Sequence, residues 1–177
     1  MSESFLLDTC VLSEMSKSRP SPAVLWFLET SANLFLPTAV LMEFQLGITE
    51  ASSKDPIRAV RLSNWYSRII AAGLPILDTT KEVAEVWGVL AADSRLRGLI
   101  VGDGRAKKPR NGQDIHIAAF CLVHRLPIAT MNARDFALID RYYPLPGIYN
   151  PSEDRWYARL APLGETELSS VEPVPCR

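Results

Sequence analysis

The 177-residue sequence has little of the chemistry on which zinc proteins and disulfide-rich secreted proteins depend. It contains two histidines and three cysteines. Cys10, Cys121 and Cys176 are far apart and lack any metal-ligand spacing. Because Cys10 and Cys121 lie in apolar surroundings, we expect buried, reduced thiols and a cytoplasmic protein.

Long hydrophobic runs and an excess of charge of one sign are also missing. No stretch approaches the roughly 20 apolar residues of a membrane span, so we expect no membrane association. The first apolar run, residues 5–7, ends at Asp8 and has no Lys or Arg before it, which does not fit a signal peptide. The 20 Asp+Glu residues balance 19 Lys+Arg, so only a local basic strip is expected to bind nucleic acid.

Short apolar runs alternate along the chain with segments of helical pattern, and 47% hydrophobic residues suffice for one core. Predicted strands span residues 4–7, 34–37, 74–77 and 126–130, with a final edge strand at 148–149. Predicted helices span residues 23–30, 39–49, 56–71, 113–125 and 132–139, with a loop between Asp8 and residue 23. One more helix is predicted from the apolar positions 83, 86, 87 and 90, which fall at i, i+3, i+4 and i+7. This alternation is typical of an α/β fold in which helices cover both faces of a mostly parallel sheet.

Two segments depart from this alternation. Residues 98–112 are rich in glycine and basic side chains and are predicted to be mostly loop. From Pro151 onward, prolines break up a polar tail. We expect residues 1–150 to form the domain and residues 151–177 a C-terminal extension, partly docked through a helical turn around Trp156 and partly disordered.

Acidic and amide side chains lie close to the ends of the predicted strands. Asp8 ends the first strand, and Glu43 lies one turn into the helix after the second. Asp114 begins the apolar helix that leads into the fourth strand, and Asn132 follows that strand. Because functional groups collect at the carboxyl ends of parallel strands, these four residues can converge on one edge of the sheet.

Such a cluster predicts a hard metal ion. Neighbouring carboxylates repel one another and raise each other's pKa unless a cation neutralises them. Oxygen ligands without His or Cys suit Mg²⁺ or Mn²⁺. An ion of this kind can hold a phosphate group and lower the pKa of a bound water, so the pattern points to phosphodiester hydrolysis.

The segments that carry these residues resemble the PIN-domain ribonucleases, specifically the VapC-like toxins of type II toxin–antitoxin systems. The four matching segments are residues 5–14, 38–47, 114–119 and 129–136. The resemblance implies a three-layer α/β/α domain with a metal-binding triad of Asp8, Glu43 and Asp114. It places Asn132 at a fourth position, where many members have Asp, and Cys10 where Asn is common.

The resemblance also implies activity and partners. It predicts an endoribonuclease that depends on Mg²⁺ or Mn²⁺, forms a homodimer and is neutralised by a cognate antitoxin. Thr9 and Arg134, which flank the candidate ligands, are predicted to contact the RNA substrate. Further substrate contacts are predicted in a basic run that directly precedes Asp114, and they are Arg105, Lys107, Lys108 and Arg110. A solvated loop without contact to RNA is the alternative for that run.

Two other functions remain open from the residues alone. A catalytically weak or inert PIN-like module that binds RNA or protein would account for Cys10 and Asn132, and metal-dependent cleavage separates it from a nuclease. An aspartyl-phosphate protein would use Asp8 as its nucleophile and needs a lysine at another strand end, for which Lys81 is the nearest candidate.

Overall fold

A six-stranded sheet forms the centre of the computed structural model, which describes residues 3–101 and 112–160. The strands are β1 (Ser4–Leu7), β2 (Asn33–Pro37), β3 (Ile76–Leu77), β4 (Ile128–Ala129), β5 (Gly147–Asn150) and β6 (Arg155–Arg159). Their order in the sheet is β3-β2-β1-β4-β5-β6. All neighbours pair in parallel except β5 and β6, which are antiparallel.

Helices connect the parallel strands, as parallel pairing requires. They are α1 (Thr9–Glu14), α2 (Pro22–Thr30), α3 (Thr38–Lys54), α4 (Pro56–Ala71), α5 (Lys81–Ala92), α6 (Arg97–Ile100), α7 (Gln113–His124) and α8 (Ala133–Asp140), with a 3₁₀ turn at Ser94–Leu96. Proline begins α2 and α4, where its missing N–H leaves no bond unmade. The predicted three-layer α/β/α fold is confirmed.

The strand order places a crevice beside β1. From β1 the sheet grows in one direction through β2 and β3, and in the other through β4 and β5. Where the order reverses in this way, the loops after adjacent strands separate and leave room for a ligand at the carboxyl ends. Residues that follow β1 and β4 are therefore the ones best placed to form a site.

The apolar residues on almost every side of segment 113–125 predict a helix that is buried on most sides, and α7 confirms this. Ile115, Ile117 and Phe120 are fully buried in it, as is the free thiol of Cys121. The helix packs against α3, α5 and α8. Because α7 is held on several sides, its first turn has a fixed position relative to the sheet.

The structure corrects the predictions at three places. The segment after Asp8 begins helix α1 at once instead of a loop. The helical turn predicted around Trp156 is wrong because Arg155–Arg159 alternates between exposed and half-buried residues, the period of a strand. This strand covers β5, so the edge strand predicted at 148–149 is an internal strand instead.

Gly147 allows β6 to pack closely on β5. A Cβ atom at this position would lie 2.6 Å from Cζ3 of Trp156 and 3.1 Å from Cβ of Pro127. The Trp156 ring is itself held against Phe5 and Tyr149, with centroid separations of 5.7 and 5.2 Å. The ring therefore has little freedom to move away from an added methyl group.

We expect Gly147→Ala to lower the free energy of unfolding by about 1–3 kcal/mol, the usual range for overpacking. Urea denaturation followed by circular dichroism measures this change. Gly88→Ala is the matched control, because a Cβ at Gly88 in α5 meets no atom within 4 Å. Equal stabilities of the two variants would contradict the described packing of β5 and β6.

None of the helices in residues 3–101 and 112–160 is long and apolar enough to cross a membrane.

Candidate active site

Asp8 lies at the carboxyl end of β1, on the crevice where the strand order reverses. Its backbone N–H donates to the carbonyl of Ala129 in β4 at 3.1 Å, which ties the ends of the two strands together. The residue is only 5% exposed, although it is charged in its ordinary state. Buried carboxylates without compensation are rare, so this one is a candidate functional group.

Two side chains hold the Asp8 carboxylate in place. The Thr130 hydroxyl, which follows β4 and is fully buried, donates to Oδ2 of Asp8 at 2.6 Å. The Cys10 thiol donates to the same oxygen at 2.9 Å, and its sulfur accepts from the backbone N–H of Met131 at 3.2 Å. Cys10, which stands where Asn is common in the family that the sequence resembles, thus supplies a polar contact to the carboxylate.

Burial raises the pKa of Asp8 above its ordinary value, and the hydrogen bonds from Cys10 and Thr130 partly oppose that rise. Burial also raises the pKa of Cys10, as does the charge of Asp8, so the thiol keeps its proton and stays a donor. Two bonds onto one oxygen fix the orientation of the carboxylate without supplying a positive charge. A cation in the crevice would provide that charge and favour the ionised form.

Glu43 reaches this region from α3. Its Oε2 accepts a hydrogen bond of 2.6 Å from the hydroxyl of Thr9, the residue directly after Asp8. Helices α1 and α3 are in contact at this point. Asp8 and Glu43 therefore belong to one local group, joined through Thr9.

Asp114 lies in the first turn of α7. It is half-buried, and α7 packs against α3, the helix that carries Glu43. Two residues further on, Nε2 of His116 lies 3.2 Å from the hydroxyl of Thr79. Burial lowers the pKa of His116, which favours the neutral ring and a structural role.

Asn132 lies just after β4 and is joined to the site through its backbone. Its N–H donates to the hydroxyl of Thr130 at 2.8 Å, the hydroxyl that in turn donates to Asp8. Its side-chain amide donates to Oδ2 of Asp135 at 2.9 Å. Asn132 occupies the N-cap position of α8 without a side-chain capping bond, and Arg134 is exposed in the first turn of that helix.

The structure thus gathers some of the predicted residues and leaves others apart. Asp8, Thr9, Glu43 and Asn132 are linked by the hydrogen bonds above, whereas Asp114 is placed by helix packing. In the described part of the chain, no three His, Cys, Asp or Glu side chains are arranged to hold a metal ion. The basic run predicted to contact substrate (Arg105, Lys107, Lys108 and Arg110) lies outside the described residues.

Thr130 is the site residue that the sequence prediction missed. It stands directly after β4, as Asp8 stands after β1, and that position was the available signal. Its hydroxyl accepts from Asn132 and donates to Asp8, so it connects the ends of two strands. Lys81, needed for an aspartyl-phosphate function, begins α5 and pairs with Glu85 at 3.6 Å.

Solved structures with the same fold come from several complexes. One is described as FitAB bound to a DNA fragment, with a TM-score of 0.59, 23% identity, and coverage of 84% of this chain and 95% of that chain. Another is VapBC2 from Rickettsia felis bound to a DNA fragment from its promoter, with a TM-score of 0.58, 21% identity and coverage of 82% and 97%. A third is VapBC-5 from Mycobacterium tuberculosis, a member of the VapBC family of toxin–antitoxin systems, with a TM-score of 0.51, 24% identity and coverage of 83% and 98%.

At these levels of identity the likeness is one of fold. None of the curated proteins compared matches the sequence significantly. The family model of the PIN domain matches residues 5–142, which include every candidate ligand. Asp8 at the start of that span and Asn132 near its end lie at the crevice of the sheet. The chain belongs to the PIN domain family.

Proposed function

We propose that this PIN-domain protein is an endoribonuclease that depends on Mg²⁺ or Mn²⁺ and serves as the toxin of a toxin–antitoxin pair. The observation that carries the proposal is the buried carboxylate of Asp8 at the crevice, fixed by Thr130 and Cys10. An oriented carboxylate with a raised pKa is costly to keep ionised unless a cation compensates for it.

The donor set fits a hard divalent ion. Asp8, Glu43 and Asp114 would hold it, and Asn132 would complete the shell directly or through water. All these groups offer oxygen atoms, the ligands that Mg²⁺ and Mn²⁺ prefer. Because like charges repel, we expect the ion to draw the three carboxylates together when it binds.

A bound ion would polarise the scissile phosphate and lower the pKa of a water molecule. Neighbouring residues of the chain orient the carboxylates that would hold this ion. Thr130 and Cys10 orient Asp8, and Thr9 orients Glu43 through its 2.6 Å hydrogen bond. Pre-oriented ligands make a metal site more precise, because little order has to be imposed during binding.

The toxin assignment is supported by the shared fold with VapBC2 and VapBC-5 and by the family membership. It includes a cognate antitoxin as protein partner, a homodimer as the working form and the cytoplasm as the compartment. RNA is the proposed substrate. Arg134, exposed beside Asn132, and the basic run at residues 105–110 are proposed to contact its phosphates.

The test is cleavage of a mixed pool of single-stranded and structured RNA by the purified full-length protein. We expect products in Mn²⁺ or Mg²⁺, no products in EDTA, and recovery when excess metal is restored. Cleavage that continues unchanged in EDTA would contradict the metal site. RNA that is bound but never cut, at any metal concentration, would contradict the nuclease.

That second outcome would favour the rival function, an inert PIN-like module that binds RNA or protein. One observation speaks for it: the Asn132 side chain carries no charge and donates to Asp135. A module of this kind would bind RNA equally well with and without metal. Metal-dependent cleavage therefore separates the two functions in a single assay.

A further inference from the structure

Helix α4 carries a one-sided stripe of positive charge. Arg58, Arg61 and Arg68 are its only charged residues, since Pro56–Ala71 contains no Asp or Glu. The spacings 58, 61, 65 and 68 correspond to i, i+3, i+7 and i+10, so the three arginines share one helical face with Trp65. The stripe extends over about 15 Å at 1.5 Å per residue.

The arginines of the stripe are exposed and available for an anion. None of them forms an ion pair with an acidic side chain within residues 3–101 and 112–160. Two other exposed arginines of the described chain do form ion pairs, Arg95 with Asp93 and Arg159 with Glu3. What distinguishes the stripe is that three arginines without an ion pair share one helical face. Three unpaired guanidinium groups on one face repel each other, and a chain of phosphates would relieve that repulsion.

Two adjoining cavities connect this stripe to the candidate active site. The first, of about 330 Å³, is lined by Thr9 and Glu43 at one end and by Arg58 at the other. The second, of about 540 Å³, is lined by all three arginines and by no acidic residue. Both cavities are lined by Arg58 and Trp65, so they adjoin, and the two together are called the groove below.

The charge changes sign along this groove. Of the two cavities, only the first is lined by acidic side chains, where Glu50 and Asp55 join Glu43. One lysine, Lys54, also lines it. Of the acidic residues, Asp55 is occupied in capping α4 through the backbone N–H of Arg58 at 2.9 Å. The acidic end suits a metal ion, and the arginine end suits a phosphate backbone.

Trp65 lines both cavities of the groove. It is half-buried, and its ring packs edge to face on Phe44 of α3, with a centroid separation of 4.8 Å and an angle of 79°. The ring is therefore fixed, and it holds α4 at a constant distance from the helix that carries Glu43. A rigid stripe can set the position of a ligand relative to the site.

We propose that Arg58, Arg61 and Arg68 bind successive phosphates of a single RNA strand and lead it along the groove to the Thr9–Glu43 end of the active site. This inference rests on the proposed function, because it supplies the substrate path for the same site. The arginines are positioning residues, since they lie along the groove away from Asp8. Phosphate contacts position a nucleic acid without reading its sequence, so the stripe serves many sequences equally.

The test measures binding of a fluorescein-labelled single-stranded RNA by anisotropy, in full-length protein carrying Asp8→Asn so that the RNA is not cut. The test variant adds Arg58→Gln, Arg61→Gln and Arg68→Gln. The matched control adds Arg97→Gln, Arg125→Gln and Arg141→Gln, which remove the same charge from exposed positions that line neither cavity. Circular dichroism checks that both remain folded.

We expect weaker binding by the test variant, and a slope of log affinity against log salt that is shallower by about 2, since each phosphate contact on a single strand contributes about 0.7. The control should keep the parent slope. An unchanged slope in the test variant would overturn the proposal and make an acidic protein segment the occupant to examine. Equal losses of RNA affinity in both variants would also overturn the proposal. A parent protein that does not bind RNA would overturn it as well.

Failure of the proposed nuclease has a different signature. Protein with intact Asp8 that binds RNA with the parent slope but never cuts it would contradict the catalytic function alone. The phosphate path would then still stand, because its readout is the salt dependence of binding and not the yield of products.

Discussion

Replacing Asp8 with Asn should lower metal-dependent RNA cleavage by about 10³-fold or more while the protein stays folded. A divalent ion stabilises transition-state charge by several kcal/mol, and each 1.36 kcal/mol corresponds to a factor of ten in rate. The substitution keeps the shape of a buried side chain that accepts from Thr130 and Cys10. Initial rates on a labelled RNA measure the change, and circular dichroism checks the fold.

Asp78→Asn is the matched control. Asp78 also follows a strand of the sheet, directly after β3, but its side chain is exposed. We expect its variant to cleave at the rate of the unmodified protein. Asp114→Asn should behave like the Asp8 variant if the ion draws the three carboxylates together. Full activity of both Asp8→Asn and Asp114→Asn would refute the site.

Mn²⁺ should raise the melting temperature of the unmodified protein by about 5–10 °C at a concentration near 100 times its Kd. Binding to the folded state alone stabilises by about 2.7 kcal/mol at that concentration, and each kcal/mol shifts a chain of this size by about 2–4 °C. We expect this stabilisation because burial disfavours the ionised carboxylate of Asp8 and a bound cation compensates for that charge. Differential scanning fluorimetry with and without EDTA measures the shift.

The pH dependence of this shift has a definite sign. Burial raises the folded-state pKa of Asp8, and the ion binds the ionised form, so the metal-induced shift should grow as the pH rises through that pKa. Asp8→Asn should show a much smaller shift at every pH. An equal shift in the Asp8→Asn protein would place the stabilising ion elsewhere.

Most of the architecture was predictable because its signals are local. The helix predicted at 56–71 matches α4, whose proline at the first position and Asp55 cap mark its start. The apolar pattern of α7 identified the helix that fills the core. Alternation of these segments with short apolar runs then gave a mostly parallel sheet, since parallel strands need crossover connections.

The errors occurred where the tertiary partner decides the local structure. Residues 155–159 carry too weak a pattern to identify β6, which forms because β5 offers an open edge and Trp156 packs on Tyr149. Helix α1 is only six residues long, too short to form without the packing of Val11 and Leu12 in the core.

The candidate site also contains one part that the sequence predicts and another part that depends on tertiary contacts. Asp8 could be found because it ends a buried strand, and its place at the crevice follows from the strand order. The contacts of Thr130 and Cys10 with Asp8 could not be predicted, because residues 8 and 130 meet only through the pairing of β1 with β4. For the same reason, the groove from Glu43 to the α4 arginines could not be predicted before α3 and α4 were seen to pack together.

The proposed nuclease requires a divalent ion at the carboxylate of Asp8. Anomalous diffraction from crystals grown with Mn²⁺ tests this requirement most directly, because the signal locates the metal independently of any activity. We expect a manganese peak within coordination distance of an Asp8 oxygen, with Glu43 and Asp114 drawn towards it. Saturating Mn²⁺ without a peak at Asp8, in crystals of active protein, would contradict the proposed metal site.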